Sequence, residues 1–163
     1  MRRAVPAPDT EEKGTVQMNR YHTAIKAHEQ GFNCCQSVLA AFADRLGVDE
    51  QTYRKLGSGF GGGAGTGELC GAVTGAVMAL DLMLPADFSD PVSAKKKAVL
   101  RAKRLQQGFE EHFGHLRCRE LLQDRSGDEK ASPAVKALGL TNHCSVMIAA
   151  AVELVEELME EER

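Results

Sequence analysis

GELCGAVTGAVMALDLMLP, residues 67–85, is the stretch whose reading decides the fold. Cys70, Val73, Val77, Leu80 and Leu84 recur three or four positions apart, the period of one helix face, and Pro85 stops the run. The spacing predicts a helix opening near Gly67. Gly67, Gly71, Gly75 and Ala79 recur every four residues on the same segment. That spacing makes a smooth ridge against which another backbone packs closely, either inside the fold or across a homodimer.

Immediately upstream, residues 57–67 read GSGFGGGAGTG, with seven glycines in eleven positions. Each glycine costs about 1 kcal/mol against alanine in a helix, so this segment is a loop. It formally contains Gly57-x-Gly59-x-x-Gly62, a dinucleotide fingerprint. A helix rather than a strand precedes it, and it lacks the lysine of a phosphate-binding loop, so nucleotide binding is not expected.

Helical patterns continue in both directions. A first helix is expected over 17–29, ending at Gly31. A second is expected from the cap Asn33 to about Leu46, with Cys35, Leu39, Phe42 and Leu46 as its apolar stripe. Asp49 caps a short third helix over 50–56. Downstream, Asp90-Pro91 is a strong start signal for a helix reaching Phe113 and stopping at Gly114. A short helix is expected over 117–123, one turn around 133–138 within an otherwise irregular segment 124–140, and a last helix from Thr141 or Asn142. No segment alternates as a half-buried strand does. The expected fold class is all-α, a single-domain helical bundle with a glycine-rich loop. Residues 1–15 are expected to be a flexible N-terminal tail and 16–163 the helical domain.

A chain of 163 residues is long enough for a real core without a disulfide scaffold. Its 43% hydrophobic and 26% charged content and mean hydropathy of -0.28 are ordinary for a globular protein. The net charge of -3 and the scattered basic residues argue against nucleic acid. No run of about 18 apolar residues exists, so no membrane insertion is expected. The N-terminus lacks the apolar stretch of a secretory signal, which makes the expected compartment cytoplasmic, where thiols stay reduced. Five cysteines there point to metal, redox chemistry or plain burial.

Four of these cysteines share a position. Cys34 follows the cap Asn33, Cys70 follows Gly67, and Cys118 and Cys144 each begin a predicted helix. Unpaired backbone N–H groups and the helix dipole favour negative charge in a first turn, and so favour the thiolate that binds metal or attacks a disulfide. Helix beginnings converging at one end of a bundle make a tetrathiolate site for zinc or an iron–sulfur cluster. The opposing reading is that all four are small buried hydrophobes, and no C-x-x-C pair argues against it. Cys35 lies on the Leu39–Phe42–Leu46 stripe, so core packing is its expected role.

The motifs themselves resemble a known family. Asn33-Cys34 with Gln36-Ser37-Val38-Leu39, the Gly59–Gly63 segment, Cys70-Gly71-Ala72-Val73-Thr74-Gly75, Phe113-Gly114 with Cys118-Arg119-Glu120-Leu121-Leu122, and Cys144 ahead of a final helix resemble the C_GCAxxG_C_C family of redox-active proteins. The resemblance covers roughly residues 20–160. It implies that Cys34, Cys70, Cys118 and Cys144 are the family's four characteristic cysteines and that Cys35 is an extra. The pattern is also similar to the cluster-carrying part of split-Soret cytochromes, which implies a 2Fe-2S type of centre. The expectation is an iron–sulfur or other thiolate-bound metal site, used for electron transfer or redox sensing with a redox partner the sequence does not identify. The alternatives are a metal-free thiol–disulfide protein, and a structural or partner-binding module with zinc or inert thiols. His143, beside Cys144, and His115, three residues before Cys118, are candidate outer-shell donors or replacement ligands, though such residues are more often just partly exposed polar positions.

Overall fold

The last helix organises the molecule. In the computed structural model, which describes residues 10–163, every residue from Ser145 to Val155 is buried. A helix apolar on all sides has to be surrounded, and this one, His143–Glu161, lies at the centre of the bundle. Counting along the chain, α1 is Thr10–Glu29, α2 Cys34–Ala41, α3 Glu50–Gly57, α4 Gly71–Met83, α5 Pro91–Phe113, α6 Cys118–Asp124, α7 Gly127–Lys130, α8 Pro133–Lys136 and α9 His143–Glu161. α1, α2, α4 and α5 all pack on α9, and α2 also packs on α1, α3 and α4. No strand occurs among the described residues, so the all-α class holds, with one isolated antiparallel bridge between Leu69 and Arg117.

The core is aliphatic at its centre and aromatic toward α5. Leu39, Val73, Leu80, Ile148 and Val152 are sealed in the core, as are Phe109 and Phe113, whose ring centroids lie 4.8 Å apart with the planes tilted by 51°. Glu153 sits nearly buried on α9, where its carboxylate accepts hydrogen bonds from Ser132 Oγ at 2.8 Å and Tyr21 OH at 3.4 Å. Arg20 of α1 is buried too. Its guanidinium meets Asp44 at 2.8 Å and Glu156 at 2.6 Å and donates to the Ala41 carbonyl, so the charge is compensated on three sides. No helix among the described residues is long and apolar enough to cross a membrane.

Several boundaries differ from the sequence expectation, each for a local reason. α1 begins at Thr10, not 17, and Lys13 on this extra length pairs with Glu160 of α9 at 3.1 Å. The expected tail is therefore helical over 10–15, and its residues 1–9 lie outside the described residues. α2 ends at Ala41, and the chain continues through tighter turns in which Arg45 N–H reaches the Phe42 carbonyl. Phe42 and Leu46 stay in the core regardless. In the segment 124–140 the expected turn is α8, capped by Ser132, and a second single-turn helix, α7, stands where irregular chain was expected.

Candidate functional site

Each of the four family-pattern cysteines stands at a helix beginning. Cys34 is the first residue of α2, Cys118 the first of α6, Cys144 the second of α9, and Cys70 is the N-cap residue of α4. The helix of Cys70 opens at Gly71 rather than near Gly67, which leaves Cys70 extended (φ -49°, ψ 130°).

Three local devices bring these helix beginnings together. The first is close approach of α2 and α4. A Cβ added at Gly71 would lie 2.8 Å from the Phe60 carbonyl oxygen and 3.3 Å from Cys34 Cβ. One added at Gly75 would lie 2.6 Å from the Cys35 carbonyl oxygen. The small-residue ridge is thus used inside the fold, and it sets Cys34 beside Cys70. The ridge loses its first member, since Gly67 precedes the helix and faces Arg119.

The second device is the Leu69–Arg117 bridge. Cys70 N–H donates to the Leu116 carbonyl at 2.9 Å and Cys118 N–H donates to the Glu68 carbonyl at 2.7 Å. Two extended segments are thereby clamped with Cys70 and Cys118 at adjacent positions. Arg119 reinforces the clamp by donating to the Thr66 carbonyl at 2.7 Å and to Glu68 at 2.6 Å.

The third is the glycine-rich segment, which folds as a left-handed turn. Gly62, Gly63, Ala64 and Gly65 have φ of 62°, 63°, 55° and 73°. Left-handed conformation costs an ordinary residue about 1–2 kcal/mol, and here only Ala64 carries that strain. The run of glycines is the sequence signature of this turn. It covers the site, because Gly62 lines the same cavity as the cysteines. Beside it, Asn33 caps α2 by accepting from Gln36 N–H at 2.9 Å, while its amide donates to the Gly57 and Ser58 carbonyls.

Cys34, Cys70, Cys118 and Cys144 line one small cavity of about 20 Å³, with His143 and Met147 beside them. That is room for one water-sized group. Cys70 is buried, whereas the other three are half-buried. Cys35 faces away: it is fully buried, its sulfur 3.8 Å from Met78 Sδ, so its expected core role matches its surroundings. Among the described residues no group of three or more His, Cys, Asp or Glu side chains is arranged to hold a metal ion.

The thiols influence one another. Cys34 donates a hydrogen bond to Cys144, which holds Cys34 protonated; burial and the three other thiols push the same way. Cys144 responds oppositely. The Cys34 hydrogen bond, helped by Arg125 and opposed by burial, lowers it to about 7. Burial pushes Cys70 up to about 11, although the amides of Ala72 and Val73 oppose the rise. Cys118 is raised by burial and by Cys144. Cys144 is therefore the one thiolate of the metal-free protein near neutral pH. Its alkylation by iodoacetamide is expected to rise with pH and reach half its maximum near pH 7, below the about 8.5 of a free thiol. Peptide mass spectrometry of briefly labelled protein checks this; equal labelling of Cys118 and Cys144 at pH 7 would contradict it.

A family profile described as "Putative redox-active protein (C_GCAxxG_C_C)" matches residues 32–158. The chain belongs to this family. Among curated proteins and among solved structures, none matches it. All five cysteines fall inside the matched span, and Cys34, Cys70, Cys118 and Cys144 are the four that line the cavity. His115 does not join them; it lies 3.5 Å from Asp124 and 3.8 Å from Glu120 on the face of α6. His143 does line the cavity, and its Nε2 is buried without a hydrogen-bond partner. Sequence reasoning missed the bridge between Leu69 and Arg117, which has no alternating pattern to announce it.

Proposed function

We propose that this C_GCAxxG_C_C protein is an electron-transfer or redox-sensing protein in which Cys34, Cys70, Cys118 and Cys144 together hold an iron–sulfur cluster. The observation that carries the reading is the convergence of four thiols, from four separate helix beginnings, on one cavity. Four thiolates are the donor set of such clusters. The hydrogen bond to Cys144 holds Cys34 protonated and burial holds Cys70 and Cys118 protonated in the metal-free chain, with repulsion from the neighbouring thiols a smaller contribution. A bound cation reverses that logic and releases the protons.

When bound, the cluster supplies one-electron transfer. The protein's own part is to fix four thiolates, to stabilise their charge with helix N–H groups, and to exclude water with Gly62, Leu121 and Met147.

The test is isolation without oxygen, followed by visible absorption and analysis of iron and acid-labile sulfide. Charge-transfer absorption with both elements present is expected; a colourless chain lacking both would refute the cluster.

The Cys34–Cys144 hydrogen bond favours a second reading, a thiol–disulfide pair without metal. In that chemistry the Cys144 thiolate attacks a partner disulfide. Cys34 then loses its proton and displaces the partner's remaining thiolate, so two electrons and the Cys34 proton pass to the partner, whose second thiolate takes its proton from solvent, and a Cys34–Cys144 disulfide remains. Differential alkylation of oxidised and reduced protein separates the readings, since only the second needs this pair to cycle without iron.

A further inference from the structure

We infer that His143 is a positioning residue for the group held by the four cysteines, its Nε2–H donating a hydrogen bond to a sulfur of that group. The inference rests on the cluster reading. His143 precedes Cys144 on α9 and is one of the residues lining the cysteine cavity. Its Nε2 is buried and has no protein partner among the described residues. An unsatisfied buried polar nitrogen destabilises a fold unless something else meets it, and the cavity that His143 lines is where that partner would bind.

The room for the ring is built. A Cβ added at Gly127 of α7 would lie 2.5 Å from Met147 Cε, 3.4 Å from His143 Cε1 and 3.5 Å from its Nδ1. The absent side chain at Gly127 therefore lets Met147 and the imidazole pack side by side at the cavity wall. Leucine at 143 would fill similar space without leaving a polar atom stranded. Retaining a histidine here makes physical sense if its nitrogen meets an occupant. Donors to cluster sulfurs favour the more negative, reduced state and so tune the potential.

The experiment compares wild type, H143L and H143Q prepared without oxygen, measuring iron content, midpoint potential and the melting temperature of each metal-free form. Metal-free H143L is expected to melt no lower than wild type. Loaded H143L is expected to keep its iron while its reduction equilibrium falls about tenfold, a midpoint lower by about 59 mV for one electron. H143Q, which keeps a side-chain N–H, should recover at least half of that shift. An unchanged midpoint in H143L overturns the inference. So does loss of iron in both variants with direct nitrogen coupling to iron in the wild-type spectrum, because His143 is then a ligand. If H143L does not fold, H143A supplies the same comparison. A wild-type chain without iron fails the cluster reading itself, visibly and before any variant is made, and overturns this inference with it.

Discussion

Replacing Gly75 by valine is expected to destabilise the protein by about 3 kcal/mol and to disperse the cysteine site in the same stroke. A Cβ at this position would lie 2.6 Å from the Cys35 carbonyl oxygen, 3.0 Å from Cys35 Cα and 3.1 Å from Val38 Cβ. Two of these atoms are backbone of α2 and cannot swing aside. Overpacking of this kind costs about 1–3 kcal/mol, and the upper end applies where the obstacle is a main chain. The shift corresponds to a melting temperature lower by roughly 10 °C in a domain of this size. Because α2 carries Cys34 and α4 carries Cys70, forcing the helices apart also separates those two thiols. Gly14 is the control. Nothing lies within 4 Å of its added Cβ on α1, so G14A should stabilise by about 0.5–1 kcal/mol through helix propensity. Thermal denaturation of both variants decides the matter; a G75V protein melting like wild type would mean that the α2–α4 contact is not as close as described.

The second large effect concerns the thiols themselves. Serine in place of Cys34, Cys70, Cys118 or Cys144 is expected to strip the chain of bound iron in each case. The loss should exceed the roughly 10–100-fold that removal of an outer-shell partner costs a metal site. Serine in place of Cys35 should leave the iron untouched and cost only stability, because that sulfur contacts Met78 within the core. Iron analysis of the five variants, each purified without oxygen, gives the pattern. Retention of iron in any of the first four removes that residue from the site, and loss in the Cys35 variant would bring it in.

How legible all this was in the sequence depended on the range of the interaction. The capping residues Asn33, Asp49, Asp90 and Asn142 act over three positions, and each caps the helix that follows it in the structure. α5 was readable to the residue, from Asp90-Pro91 to Gly114. The helix-beginning placement of the four cysteines was readable for the same reason. Long-range features were not. The pairing of Leu69 with Arg117 is a single bridge between distant segments and leaves no local pattern. The left-handed course of Gly62–Gly65 was legible only as a refusal to be helical; its handedness depends on Gly63, whose added Cβ would sit 2.4 Å from Glu68 N. The extension of α1 back to Thr10 was hidden by Gly14, whose helix cost is offset by tertiary contact with α9. The unpartnered nitrogen of His143 could not be read without knowing which wall of the bundle it lines.

Native mass spectrometry of the wild-type chain, kept without oxygen from lysis onward, puts the meeting of the four sulfurs to its most direct trial. The expected spectrum is one species heavier than the bare polypeptide by a single iron–sulfur core, less the protons released by the bound thiols. A spectrum holding only the bare polypeptide mass, from protein purified and sprayed under the same protection, would contradict it.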